Sequence, residues 1–221
     1  MPSQIQVDKI IDAGSTSNKE LAEYSSGNWN WGSGLPSGSI VQVQFHQYGG
    51  LGDNESGSMT SLSSNNNYVL QASGNASGGG QTGVVDVAIT PRITGSKMWL
   101  QAQWFGELNA DTAQDTMFFF WRSVGSTHTK LRSGYDNGSS DEGLEGVNVV
   151  TKSYHQEHVG STPEQCTLQY FDTHGVSAGS SFTYKLGVCF SSGVTEVFTN
   201  RCHGSNQEAG VTSLCVIELA P

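Results

Sequence analysis

A chain of 221 residues with 10 Lys and Arg against 20 Asp and Glu carries a net charge of −10, which repels a phosphate backbone and argues against nucleic acid as a partner. Hydrophobic residues make up 35% and charged residues 14%, with 28 glycines, so the polar remainder is small and turn-forming, and helices built of Glu, Lys, Ala and Leu are hard to find. No stretch approaches the ~20 apolar residues of a membrane span. The opening MPSQIQVDKII lacks the charged-then-apolar order of a signal peptide, so no membrane partner is expected and the chain is expected to fold first in a cytoplasm.

The length suits one domain with an extension. Residues 1–38 read as an arm: one apolar stretch, Ile5 to Ile11, precedes polar text ending in SSGNWNWGSGLPSG, whose Gly, Ser and Pro mark turns and prevent a long regular element. An arm whose apolar residues recur every second or third place cannot bury them alone, so Ile5, Val7, Ile10, Trp29 and Trp31 are the docking candidates, expected to pack on another chain. From Ser39 the pattern changes to short alternating segments. Val41, Val43 and Phe45 are expected to face a core, with Gln42 and Gln44 outward.

Between Gly49 and Gln81 only a short strand around Tyr68 to Gln71 stands out from loop. Core strands are expected over Val84 to Ile89 (Val85, Val87 and Ile89 inward) and Lys97 to Phe105 (Met98, Leu100, Ala102 and Trp104 inward). The nearly continuous apolar run Met117 to Trp121 suits a strand covered on both faces. Further strands are expected over Gly146 to Thr151, Gln165 to Phe171, Ser181 to Phe190, Val194 to Asn200 and Val211 to Leu219. Ser191, Ser192 and Gly193 have the length of a tight hairpin loop. Strands at this spacing with no helical pattern between them predict an all-β fold, an antiparallel β-sandwich of jelly-roll type over residues 39–221 with the extended N-terminal arm ahead of it. No internal repeat of fixed period argues for a propeller or solenoid.

Few motifs in the chain suggest chemistry. Gly175, Val176, Ser177, Ala178 and Gly179 match GxSxG, but the strand pattern SSFTYKLGV follows where a nucleophile elbow needs a helix. His155 and His158 would point to opposite faces of a strand. Asp136, Asn137, Asp141 and Glu142 share a loop without the spacing of a calcium loop. SGGGQTG lacks the lysine of a phosphate loop. The cysteines Cys166, Cys189, Cys202 and Cys215 form no CxxC pair and read as buried thiols rather than a disulfide framework. Neither metal, cofactor nor enzymatic activity is therefore expected. Trp99, Trp104 and Trp121 fall in predicted strands, as core or subunit contacts, and Tyr135, Asp136 and Asn137 form the loop cluster nominated for glycan contact.

Several segments in order resemble a group of marine phage proteins, cyanophage-like tail-fibre or virion appendage structural proteins. They are QVDKIIDA and KELAEYSSGNWNWGSGLPSG in the arm, AITPRITGSKMWLQAQ (Ile89, Thr90, Pro91, Arg92 and Lys97), MFFFWRSVG, LQYFDTHGVSAGSSFTYKLGV, then TNR and GVTSLCVIELAP with Asp172, Glu218 and Leu219. Ser123 and Val124 depart from the acidic turn residue usual in that group. The resemblance implies a virion structural protein assembled in the host cytoplasm, a homotrimer whose other partners are virion structural proteins and, through its loops, a host surface polysaccharide. The alternatives are a capsid decoration or head fibre protein and a glycan-binding, receptor-binding module.

Overall fold

The computed structural model describes residues 9–11, 20–25, 28–31, 34–49, 57–109, 116–132, 145–152, 162–190, 194–203 and 208–221. Every regular element among them is a strand. Three lie in the arm: β1 (Lys9–Ile11), β2 (Glu20–Ser25) and β3 (Asn28–Trp31) form a small antiparallel sheet in that order. The glycines and serines of the arm thus limit the length of regular structure there without abolishing it.

The remainder is a sandwich of mostly antiparallel strands. Its larger sheet holds β4 (Ile40–Tyr48), β17 (Thr212–Leu219), β9 (Lys97–Leu108), β14 (Glu164–Asp172) and β13 (Thr151–Lys152) in that order. The short strands β16 (Val197–Thr199), β5 (Gly57–Met59) and β7 (Ser73–Gly74) continue from the far end of β9. The smaller sheet runs β11 (Thr127–Leu131), β10 (Thr116–Val124), β15 (Phe182–Phe190), with β6 (Asn67–Val69) and β8 (Asp86–Ile89) sharing the other edge of β15 and β12 (Asn148–Val149) added to β10. Taking β4, β8, β9, β10, β11, β14, β15 and β17 as first to eighth in chain order, one sheet reads first, eighth, third, sixth and the other second, seventh, fourth, fifth. That is jelly-roll order.

The core lies between the sheets and follows the alternation of the sequence. Met98, Leu100, Ala102 and Trp104 from β9 meet Phe118 and Phe120 from β10 and Phe182, Tyr184, Leu186, Val188 and Phe190 from β15. Val85, Val87 and Ile89 join them as expected. Each large side chain fully withdrawn from water contributes ~1.5–3 kcal/mol. β10 is covered on both faces, as its unbroken apolar run implies. Phe119 and Trp121 point away from the main core into a second cluster with Val69 and Cys189, under the loop that contains Gly79.

Two expectations fail. β15 and β16 do not form a hairpin, because β15 pairs with β10, β6 and β8 while β16 pairs with β9 and β5 in the other sheet. Residues 191–193 lie outside the described residues, but the connection they belong to crosses between sheets. A hairpin does exist elsewhere, between β10 and β11, where Val124 pairs Thr127 and the two central residues are Gly125 and Ser126. Gly125 has φ of 56°, the positive value such a turn needs at its first central position. The strand β11, together with β5 and β7 in the segment read as loop, has no clear apolar alternation to announce it.

The second failure is the inside and outside of β4. Val41 is buried, in a small cluster with Ile93 and Ala220, but Val43 and Phe45 are 51% and 59% exposed. The alternation is real, yet Gln42, Gln44 and His46 lie on the side of the smaller sheet, Gln42 half-buried and Gln44 and His46 exposed at its edge. β4 closes the sandwich at its margin, where backbone and carboxylate groups need partners. Gln42 Nε2 donates to Glu218 Oε2 at 2.6 Å and to the Thr90 carbonyl at 2.7 Å, and the His46 ring meets the backbone of Asp86. Amides satisfy those groups and valine cannot.

Candidate interaction face

The outer face of the larger sheet is set by register. Pairing of β4, β17, β9 and β14 brings Val43, Ile217, Trp99 and Phe171 into one row and Phe45, Cys215, Gln101 and Gln169 into the next. Gln47, Ser213, Gln103 and Thr167 form a third. Trp99 and Phe171 stack with ring centroids 5.6 Å apart and planes 9° from parallel, and Phe171 is 60% exposed. A shallow groove runs beside this stack, lined by Phe45, Gln101, Gln103, Thr167, Gln169 and Cys215. No side chain in the three rows carries a formal charge. Lys97, next along β9 on the same side, lies at the rim.

Behind this face two buried carboxylates brace the sheet. Asp172 accepts from Arg122 Nη1 at 2.7 and 2.8 Å and from the Tyr184 hydroxyl at 2.6 Å, joining β14 to β10 and β15 across the core. Burial, reinforced by the Asp172 charge, pushes the Tyr184 hydroxyl far above its usual pKa. Glu218, fully buried, accepts from the backbone N–H groups of Arg92 and Ile93 as well as from Gln42. The ITPR segment, Asp172 and Glu218 thus fall at structural ties of the sandwich.

Trp104 and Trp121 are buried, so of the three strand tryptophans only Trp99 belongs to the outer face. Sequence reasoning put Val43 and Phe45 in the core. It did not single out Phe171, Gln101 or Gln169; the signal available was the alternation of apolar and amide residues along β9 and β14, which looks like an ordinary solvated face until register is known. Of the docking candidates, Ile10 lies in β1, opposite Ala22, and Trp29 and Trp31 lie in β3, opposite Tyr24 and Ala22. Ile5, Val7 and the nominated loop residues Tyr135, Asp136 and Asn137 lie outside the described residues, as do Asp141, Glu142, His155 and His158.

Chemistry elsewhere is structural in character. The GxSxG segment is a loop between β14 and β15 with Gly175 and Gly179 at positive φ, and a strand follows it. All four cysteines are free thiols. Burial pushes the Cys166 thiol up to about 12 and raises that of Cys189. Among the described residues no cluster of His, Cys, Asp and Glu has the arrangement of a metal site, and no helix is long and apolar enough to cross a membrane. No protein-family model matches the chain, and no curated protein sequence matches it.

Proposed function

We propose that the chain is a structural subunit of a phage virion appendage, of tail-fibre type, that associates with copies of itself as a homotrimer through the outer face of the larger sheet. The observation that carries this reading is the uncharged, aromatic-bearing face on a chain of net charge −10. Two copies of an acidic protein repel each other wherever their charged surfaces meet, so a face that must meet its own kind is best built from neutral residues. Contiguous apolar surface left open on one chain marks an interaction site, and buried aromatic anchors within an amide surround suit an interface. The virion assignment rests on the sequence resemblance, and in it the arm of residues 1–38 attaches the subunit to the particle or shaft.

Light scattering of the full chain after size-exclusion chromatography tests the assembly. One chain is 23.5 kDa, and the expected species is three times that mass, falling to a folded single chain in Phe45→Asp/Phe171→Asp. A wild-type monomer overturns the interface. Deletion of residues 1–35 is expected to leave a folded sandwich that no longer enters virions, and normal incorporation would refute the anchoring role.

A second reading, a glycan-binding module, is favoured by the groove, where the Gln101, Gln103 and Gln169 amides lie beside the Phe45 ring. Binding of host polysaccharide that is lost in Gln101→Ala/Gln169→Ala, in a protein that stays monomeric, would support this reading over the first.

A further inference from the structure

On the outer side of the smaller sheet, Lys130 of β11 reaches over β10 and β15 toward β6. Its Nζ lies 4.6 Å above the Phe119 ring, 3.7 Å from Cys189 Sγ and 2.7 Å from Asn67 Oδ1. Phe119 and Cys189 are fully buried. β11 and β6 are the two ends of the path β11-β10-β15-β6, so this one contact closes the width of the sheet side chain to side chain. An amine placed 2.7 Å from a carboxamide oxygen has the carbonyl carbon only one C=O bond, ~1.23 Å, further on. The amine is thus at most ~3.9 Å from that carbon, a few tenths of an ångström from the separation of ~3–3.5 Å at which nucleophilic attack proceeds.

We propose that Lys130 and Asn67 join in an intramolecular isopeptide bond, the amine displacing ammonia from the carboxamide, so that β11 and β6 become covalently linked. A bond forms between Lys130 Nζ and Asn67 Cγ, and the bond between Cγ and Nδ2 breaks. A proton passes from Nζ to the departing nitrogen, which leaves as ammonia; nothing is oxidised or reduced. The attacking amine must be neutral, and burial shifts Lys130 toward that form by lowering its pKa, with Arg132 acting the same way and Cys189 and Glu145 opposing. Glu145, ion-paired with Arg132, is the carboxylate whose charge acts on the Lys130 amine. Edge strands hold the fewest backbone partners and open first, so a bond between the two edges would hold the sheet against shear on the outside of a particle.

The full-length protein, incubated at neutral pH, is measured by intact-mass spectrometry and then digested with trypsin. The expected result is a deficit of one ammonia and a branched peptide joining the segments that hold Asn67 and Lys130, with cleavage after Lys130 lost. Lys130→Arg, which keeps the cation but cannot be acylated, should restore the full mass. Asn67→Asp should give the same branched peptide with loss of one water instead. Succinimide formation at Asn137 and Gly138 would also release ammonia, so the branched peptide and the arginine variant decide the matter. Linear peptides for both segments in protein shown to be folded by circular dichroism, or an ammonia deficit that persists in Lys130→Arg, would overturn the proposal.

Discussion

Asp172 has the Arg122 guanidinium on one side and the Tyr184 hydroxyl on the other, and the Asp172 and Arg122 side chains are only 6% and 17% exposed. Replacing Asp172 by alanine leaves a cation and a phenol without their acceptor inside the sandwich, and loss of one partner of a buried pair costs about 3–5 kcal/mol. Urea unfolding should show a loss of that size for Asp172→Ala and a smaller one for Arg122→Met/Asp172→Leu, which removes both charges together. Two residues on, His174 is 6% exposed; its ring lies 5.0 Å from Phe182, and Nδ1 accepts the Val176 N–H at 2.9 Å. Burial lowers its pKa from 6.5, with Arg122 acting the same way and Asp172 and Glu218 opposing. The folded state therefore binds the proton less readily than the unfolded one, so stability is full above pH ~6.5 and declines as the pH falls through and below it. Thermal unfolding at pH 7 and at about pH 5 should show this decline in the wild type and a shallower one in His174→Asn, which keeps an acceptor but does not titrate. Equal slopes in the two proteins would remove His174 as the cause.

At the scale of the element, the longest strand shows how one position organises two pairings. β9 joins β17 along its first part and β16 at its end, and Gly106 sits where β16 and β14 both meet it. A Cβ there would collide with the Phe198 carbonyl and lie 2.6 Å from the Trp104 ring. Gly106→Ala should thus detach β16 or displace Trp104, at a cost of about 1–3 kcal/mol as for other overpacked cores. Hydrogen exchange should localise the opening to Val197–Thr199. The strand types were legible because their alternation is strong: every inward residue expected for β8 and β9 is buried. Beyond Val41, which is buried as expected, the faces of β4 come out reversed because period-2 alternation yields two faces without saying which one meets the other sheet. There the inner side needs the Gln42 amide for Glu218 and Thr90, contacts made across a gap of many residues.

At the scale of the molecule, the larger sheet turns one face to the core and leaves the other open, with Phe45, Trp99 and Phe171 as its aromatic anchors. Full burial of a phenylalanine is worth ~1.5–3 kcal/mol, so Phe171→Ala should weaken self-association by roughly tenfold or more, measured as concentration-dependent light scattering, while leaving the monomer's unfolding midpoint nearly unchanged. A lowered midpoint with unaltered association would place Phe171 in the stability of the single chain instead. The face itself was not legible beforehand. Its members lie on four strands separated by most of the chain, and only the pairing of β4, β17, β9 and β14 sets them side by side.

Composition and alternation alone determined that this chain is an all-β protein with an unbroken apolar strand at Met117 to Trp121 and cysteines that stay apart, because side-chain period and turn chemistry are local properties. Which face of each strand points inward, which strands share a sheet, where Asp172 and Glu218 find their partners and how Lys130 comes to meet Asn67 were decided only by the tertiary structure. Those outcomes depend on register between segments distant in sequence, and a shift of one residue in any pairing would exchange every face that the sequence had marked.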